Sequence, residues 1–220
     1  MKILKVIGVI LIAVVFVVSA GLLYINSGLP QYPVPEVKMQ VVATAARIER
    51  GRKLSAMLCN SCHLNPTKGN LTGKRMSDAP AEFGIINSRN ITQHKEEGIG
   101  DWSDAEIAVL LRTGINPRRG GVYVPPYMPK LAHLSDEDLA SIISYLRSDD
   151  PILKADGTPS ADSQPSFLVK FLCRVAFTPL EFPKSAIAQP DSTNARALGK
   201  YLADGALDCY GCHSADFKTV

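Results

Sequence analysis

Cys59-Asn60-Ser61-Cys62-His63 is the stretch whose reading decides the fold. A C-x-x-C-H run reads as an attachment site for c-type haem. Each thiol can take one vinyl group as a thioether, and the adjacent histidine then lies under the ring, where it can bind iron from the proximal side. The pattern returns as Cys209-Tyr210-Gly211-Cys212-His213, so the two copies use four of the five cysteines. One match fixes only three identities; two are hard to obtain by accident. The competing readings are a Cys/His zinc site or a disulfide pair. The expected cofactor is therefore haem c, two groups covalently attached, with iron bound through His63 and His213.

Working outward, 220 residues suffice for one or two domains, and the composition, 46% hydrophobic and 20% charged, is ordinary for a folded chain. A net charge of +3, with no basic stripe interleaved with aromatics, argues against nucleic acid as a partner. Only Cys173 is left outside the two motifs, so no disulfide framework is implied; it reads as a small buried hydrophobe.

Val6 to Ile25 is a nearly unbroken apolar run. At about 1.5 Å per residue, roughly 20 residues match a hydrocarbon core of about 30 Å. Lys2 and Lys5 precede it, which puts the N-terminus in the cytoplasm and everything after Asn26 outside. The alternative is a cleaved signal peptide ending at Val18-Ser19-Ala20, but the run is longer than a usual h-region and a retained anchor is preferred. Both readings export the haem motifs, as covalent c-type haem requires. The expected localisation is the bacterial inner membrane, single-pass, with the haem domains periplasmic.

The expected boundaries are an anchor over 1–26, a Pro-containing extended stalk over 27–40, a first domain over 41–150, a linker over 151–192 and the start of a second domain over 193–220. In the first domain, Ala45, Ile48, Gly51, Leu54 and Leu58 recur at helical spacing and lead into Cys59. Gly51 costs about 1 kcal/mol in a helix interior relative to Ala, and close approach of another helix would justify it. Residues 66–84 read as loop. Ser103 to Glu106 is a capping box, with Trp102 and Ile107 as its staple, and Gly114 ends the helix. Trp102 serves either the core or a haem propionate, through its indole N–H. Ser135 with Asp138, stapled by Leu134 and Leu139, opens a last helix whose Tyr145 is the candidate to lie over Gly51.

The sixth iron position is read as Met128, held rigidly in Pro125-Pro126-Tyr127-Met128-Pro129; His plus Met ligation marks an electron carrier with a raised potential. Met76, in an early loop, and His94 and His133, both expected at the surface, are the alternatives.

These features together resemble bacterial class I cytochromes c: Cys59-x-x-Cys62-His63, Asn90-Ile91-Thr92, Gly98 to Asp104, Met128-Pro129, and Leu134 to Leu139 through Tyr145-Leu146-Arg147-Ser148. The likeness is to membrane-anchored multi-haem forms, including subunits that accept electrons from periplasmic dehydrogenases. It covers about residues 44 to 150. It implies an all-α fold in which the first and last helices cross at a glycine, and it implies His63 and Met128 as axial ligands. The expected fold class is thus an all-α class I cytochrome c domain after an N-terminal transmembrane helix, followed by the start of a second such domain.

From Asn194 the first domain's opening repeats, Ala195 to Leu202 echoing Ala46 to Leu54. After His213 only seven residues remain, none Met or His. The expectation is a truncated second domain, or else a second haem left open or capped by another subunit. Phe167 to Phe177 is an apolar segment too short to span a membrane, expected to pack on the haem domains or to face a partner. The functional expectation is a one-electron relay with no catalytic residues, serving redox partner proteins (a dehydrogenase, an oxidase or another cytochrome). The rivals are a dihaem peroxidase and a cytochrome subunit within a dehydrogenase or oxidase complex.

Overall fold

The computed structural model describes residues 2–215, apart from the side chain of Cys212. Helix α1, Lys2–Asn26, is apolar on every face and buries none of them. It is long and apolar enough to cross a membrane.

Past α1 the chain is extended. Pro30 to Tyr32 runs beside a short hairpin formed by β2, Ile115–Asn116, and β3, Val122–Tyr123. The Tyr32 amide donates to the Gly121 carbonyl and the Tyr123 amide to the Pro30 carbonyl, both at 2.9 Å. Gly121 is required here twice over: its φ is +76°, and a Cβ would overlap the Tyr32 carbonyl oxygen. Further on, the Val41 amide donates to Asp104 at 2.9 Å. The segment expected as a stalk thus lies along the domain.

Helix α2, Ala45–Leu58, begins at Thr44, whose hydroxyl accepts from the Arg47 amide. It buries only Gly51, Leu54 and Ser55. This narrow stripe meets α5, Asp136–Leu146, almost every residue of which is buried. At the crossing a Cβ on Gly51 would overlap the Ser141 carbonyl oxygen and stand 2.7 Å from the Tyr145 Cβ. Tyr145 lies over the glycine, as the sequence predicts. Leu54, Leu71, Ile107, Leu134, Leu139, Ile142 and Ile143 form the centre of the core around this crossing.

Helix α4, Asp104–Thr113, starts with the predicted capping box, Ser103 and Glu106 each bonding the other's backbone, and ends at Gly114 in the left-handed conformation. The start of α5 differs from expectation. Ser135 does cap, accepting from the Asp138 amide at 3.1 Å. Asp138 does not reach back to close a box; its carboxylate is buried and committed to Arg50 of α2. An ion-pair partner outweighs a backbone amide for a carboxylate already out of water.

Residues 153–166, expected as part of a linker, are strapped over the loop that follows His63. Asn90 donates to the carbonyls of Asp156 and Thr158. The Asn90 amide donates to Ser160, and Asp162 pairs with Arg89 and Arg119. The strap ends in β4, Gln164–Pro165, antiparallel to β1, Gly84–Ile85. The strands are all two residues long, and the architecture is helical, as expected. Helix α6, Phe167–Val175, follows, buries Val169 and Cys173, and lies beside the end of α1.

Candidate functional site

Cys59 joins α2 to the four-residue helix α3, Asn60–His63. Its amide bonds back to the Ser55 carbonyl at 2.8 Å, and its carbonyl accepts from the His63 amide at 2.8 Å. One helical turn therefore carries both thiols and the imidazole. The thiols of Cys59 and Cys62 are free, so no disulfide joins them. Burial pushes the Cys59 thiol up to about 11, which keeps it protonated at neutral pH.

The imidazole is oriented. His63 Nδ1 lies 2.6 Å from the Arg89 carbonyl oxygen. A carbonyl can only accept, so Nδ1 carries the proton and Nε2 keeps its lone pair. Burial pushes the His63 pKa down against the opposing pull of that carbonyl, favouring the neutral ring that a metal needs. The carbonyl is itself fixed: Ser88 donates to the Cys62 carbonyl at 2.7 Å, and the Arg89 side chain is held by Asp162 and Ser160 of the strap. A ligating histidine whose other nitrogen donates to a backbone carbonyl is the usual arrangement at a metal. Two free thiols one turn apart and an imidazole presenting Nε2 fit a covalently held haem.

Met128 is half-buried in a loop that is also pegged from inside. The Lys130 ammonium donates to the Pro125 carbonyl at 3.1 Å and to the Met128 carbonyl. It sits 5.5 Å above the Tyr123 ring. Burial brings the Lys130 pKa down to about 7. Sequence reasoning missed this residue, since one lysine after Met-Pro has no spacing to distinguish it. Tyr127, beside Met128, feels the guanidinium groups of Arg89 and Arg119, while burial carries its pKa up to about 12.

The alternatives to Met128 are placed otherwise. Met76 lies in a ladder, its amide bonded to the Ile86 carbonyl at 2.9 Å. His94 is half-buried instead of solvated, because its Nδ1 accepts from the Glu97 amide and its ring nests against Gly157 of the strap. His133 is exposed, as expected, and meets Tyr210 edge to face at 5.0 Å. Trp102 packs against the core, and its carbonyl accepts from Arg147.

The second motif follows α7, Ala195–Tyr201, and a π-helical turn, Leu202–Ala206, and forms α8, Tyr210–His213. Cys209 and His213 are exposed; the Cys212 side chain lies outside the described residues. The segment is docked on the first domain. The Tyr201 hydroxyl donates to Asp138 at 2.6 Å, Tyr210 is buried against His133, and Asp208 faces Lys130. Among the described residues no three His, Cys, Asp or Glu side chains are gathered as a zinc site requires.

Comparison with known proteins agrees with this geometry. The chain carries a cytochrome c domain, the family's model matching residues 48–149. It is 33% identical over 177 residues to a nicotinate dehydrogenase component of Pseudomonas putida, covering 78% of this chain and 14% of that protein. It is 32% identical over 180 residues to the fructose dehydrogenase cytochrome subunit of Gluconobacter japonicus, covering 76% of this chain and 34% of that one. It is 26% identical over 212 residues to a diheme cytochrome c-type protein of Cereibacter sphaeroides, covering 92% and 67%. The chain spans about a third or less of the two dehydrogenase proteins.

Proposed function

Because residues 48–149 are a cytochrome c domain, we propose that the chain is a membrane-tethered, dihaem electron relay with no catalytic residues of its own. Covalent haem, when bound, supplies the one-electron chemistry. The protein's part is to hold it. Cys59, Cys62, His63 and Met128 would hold the first haem, the two thiols by covalent attachment and His63 Nε2 and Met128 Sδ at its iron, and Cys209, Cys212 and His213 would hold the second. The observation that carries this reading is the 2.6 Å contact between His63 Nδ1 and the Arg89 carbonyl, which leaves Nε2 free for a metal. Helix α1 anchors the chain in the bacterial inner membrane, with Lys2 and Lys5 on the cytoplasmic side and the haem domains in the periplasm.

The relatives named as dehydrogenase subunits favour one specific setting: the chain takes electrons from a partner dehydrogenase and passes them to another redox protein. Purified protein should stay red after acid-acetone extraction and show two haems per chain as the pyridine haemochrome. Colourless protein would overturn the reading, one haem would confine it to the first motif, and peroxide turnover by the holoprotein would move it to a peroxidase.

A further inference from the structure

Helix α6 has two apolar faces, and only one of them is used. At about 100° per residue, Val169 and Cys173 share one side. Both are buried, against Tyr123, Leu29, Tyr32, Phe83 and Phe177. Phe167, Phe171, Val175 and Leu168 fall within an arc of about 100° on the far side. All four are exposed, Val175 by 61%, and the Phe167 and Phe171 rings stack at 6.3 Å. Lys170 and Arg174 occupy an edge between the two faces. Exposed apolar residues clustered on one short helix are unlike those scattered singly over a surface, and they mark something that covers them.

The position of the helix says what that is. Arg174 donates to the Tyr24 carbonyl, in the last turn of α1, at 3.1 Å, and its guanidinium lies 4.8 Å from the Tyr24 ring centroid. The inner face of α6 rests on Leu29 and Tyr32, only three and six residues past the end of α1. At about 1.5 Å per residue the 25 residues of α1 outreach a hydrocarbon core of about 30 Å. Its last turn then stands at the headgroup level, and α6, fixed to that turn, stands there too. A helix with an outward Phe/Leu/Val face, a basic edge and no acidic residue has the make-up of one lying in a membrane interface.

We propose that α6 is a second membrane contact, its Phe167–Leu168–Phe171–Val175 face resting in the outer-leaflet interface and its Lys170–Arg174 edge meeting anionic headgroups. The proposal rests on α1 being a membrane anchor. The buried face ties α6 to the haem domain through Tyr123, whose ring underlies Lys130 of the Met128 loop, so lipid contact bears on that loop's orientation.

The full haem-loaded chain, with Cys173→Ala to remove its remaining thiol, is placed in vesicles of phosphatidylcholine and phosphatidylglycerol. A bimane label is attached at Phe171→Cys, at Phe16→Cys in α1 or at Ala161→Cys on the exposed strap. Brominated lipid should quench the label at 171 and at 16 but not at 161. Iodide should quench 171 several-fold less than 161. A label at 171 as open to iodide as that at 161, with 16 still quenched by brominated lipid, overturns the proposal while leaving the anchor intact. No lipid quenching at 16 overturns the anchor reading itself. A label at 171 open in vesicles but shielded in native membranes would assign the face to a protein partner and likewise overturn the proposal.

Discussion

At the scale of single residues, the site is a matter of which lone pairs are left over. The Arg89 carbonyl consumes the Nδ1 proton of His63 and so selects one tautomer. Lys130 performs a parallel task for the Met128 loop, donating to the carbonyls of Pro125 and Met128. In the proposed reading the thioether is held by the shape of its loop, since a Met–iron bond is weak. Met128→Ala should therefore abolish the Met–iron charge-transfer absorption of the oxidised first haem and lower its midpoint potential. The fall should be a sizeable part of the roughly 0.8 V that axial ligands command. Near-infrared absorption and potentiometric titration read both, and a surviving band would assign the sixth position elsewhere.

At the scale of elements, the helix crossing at Gly51 sets how closely α2 and α5 approach. Gly51→Ala is a contest between two terms. Alanine gains up to about 1 kcal/mol of helix propensity. Against that, its methyl would overlap the Ser141 carbonyl, which belongs to a backbone that cannot step aside. Forcing the helices apart in a packed core costs typically about 1–3 kcal/mol, so the variant should be less stable in chemical denaturation of the holoprotein. What is legible in the sequence belongs mostly to this scale. The caps at Ser103 and Gly114, the staple at Leu134 and the glycine under Tyr145 all depend on spacings of three or four residues, which a linear chain displays. Lys130 bonds to carbonyls two and five residues away in an irregular loop, and the partnering of Asp138 with Arg50 and the strap over Asn90 join residues 88 and 66 apart. Nothing local distinguishes such a lysine or aspartate from a solvated one.

At the scale of the whole molecule, one carboxylate joins three parts. Asp138 accepts from Arg50 of α2 at 2.9 Å on each oxygen, from Gln189 at 2.6 Å and from Tyr201, at the end of α7, at 2.6 Å. Burial alone would raise its pKa; the Arg50 guanidinium and the Tyr201 hydroxyl together bring it below the ordinary value. A depressed carboxylate contributes stability above the unfolded pKa of about 3.9, and that contribution is lost as pH falls through the lower folded value. Asp138→Asn should thus cost about 1–3 kcal/mol near neutrality, with the difference from the wild type closing below about pH 4. The same variant should expose residues 189–206 to limited proteolysis before α2 and α5 loosen. Equal protection of that stretch in both proteins would show that the second motif is held by other contacts.

The pairing of Pro30 to Tyr32 with the β2–β3 hairpin has a consequence for encounter. A redox domain on a long tether sweeps a wide volume and can offer any face to any comer. Here only Ser27 to Leu29 separate the end of α1 from Pro30, whose carbonyl is bonded to the β2–β3 hairpin. Three residues reach about 10 Å at most, less than the diameter of the domain they would have to swing. With α1 in a bilayer, a partner held in the same membrane would meet this protein by lateral diffusion in two dimensions and on the same rim. A partner anchored in the same membrane then enjoys a high effective concentration if its own electron port stands at the matching height, and almost none if it does not.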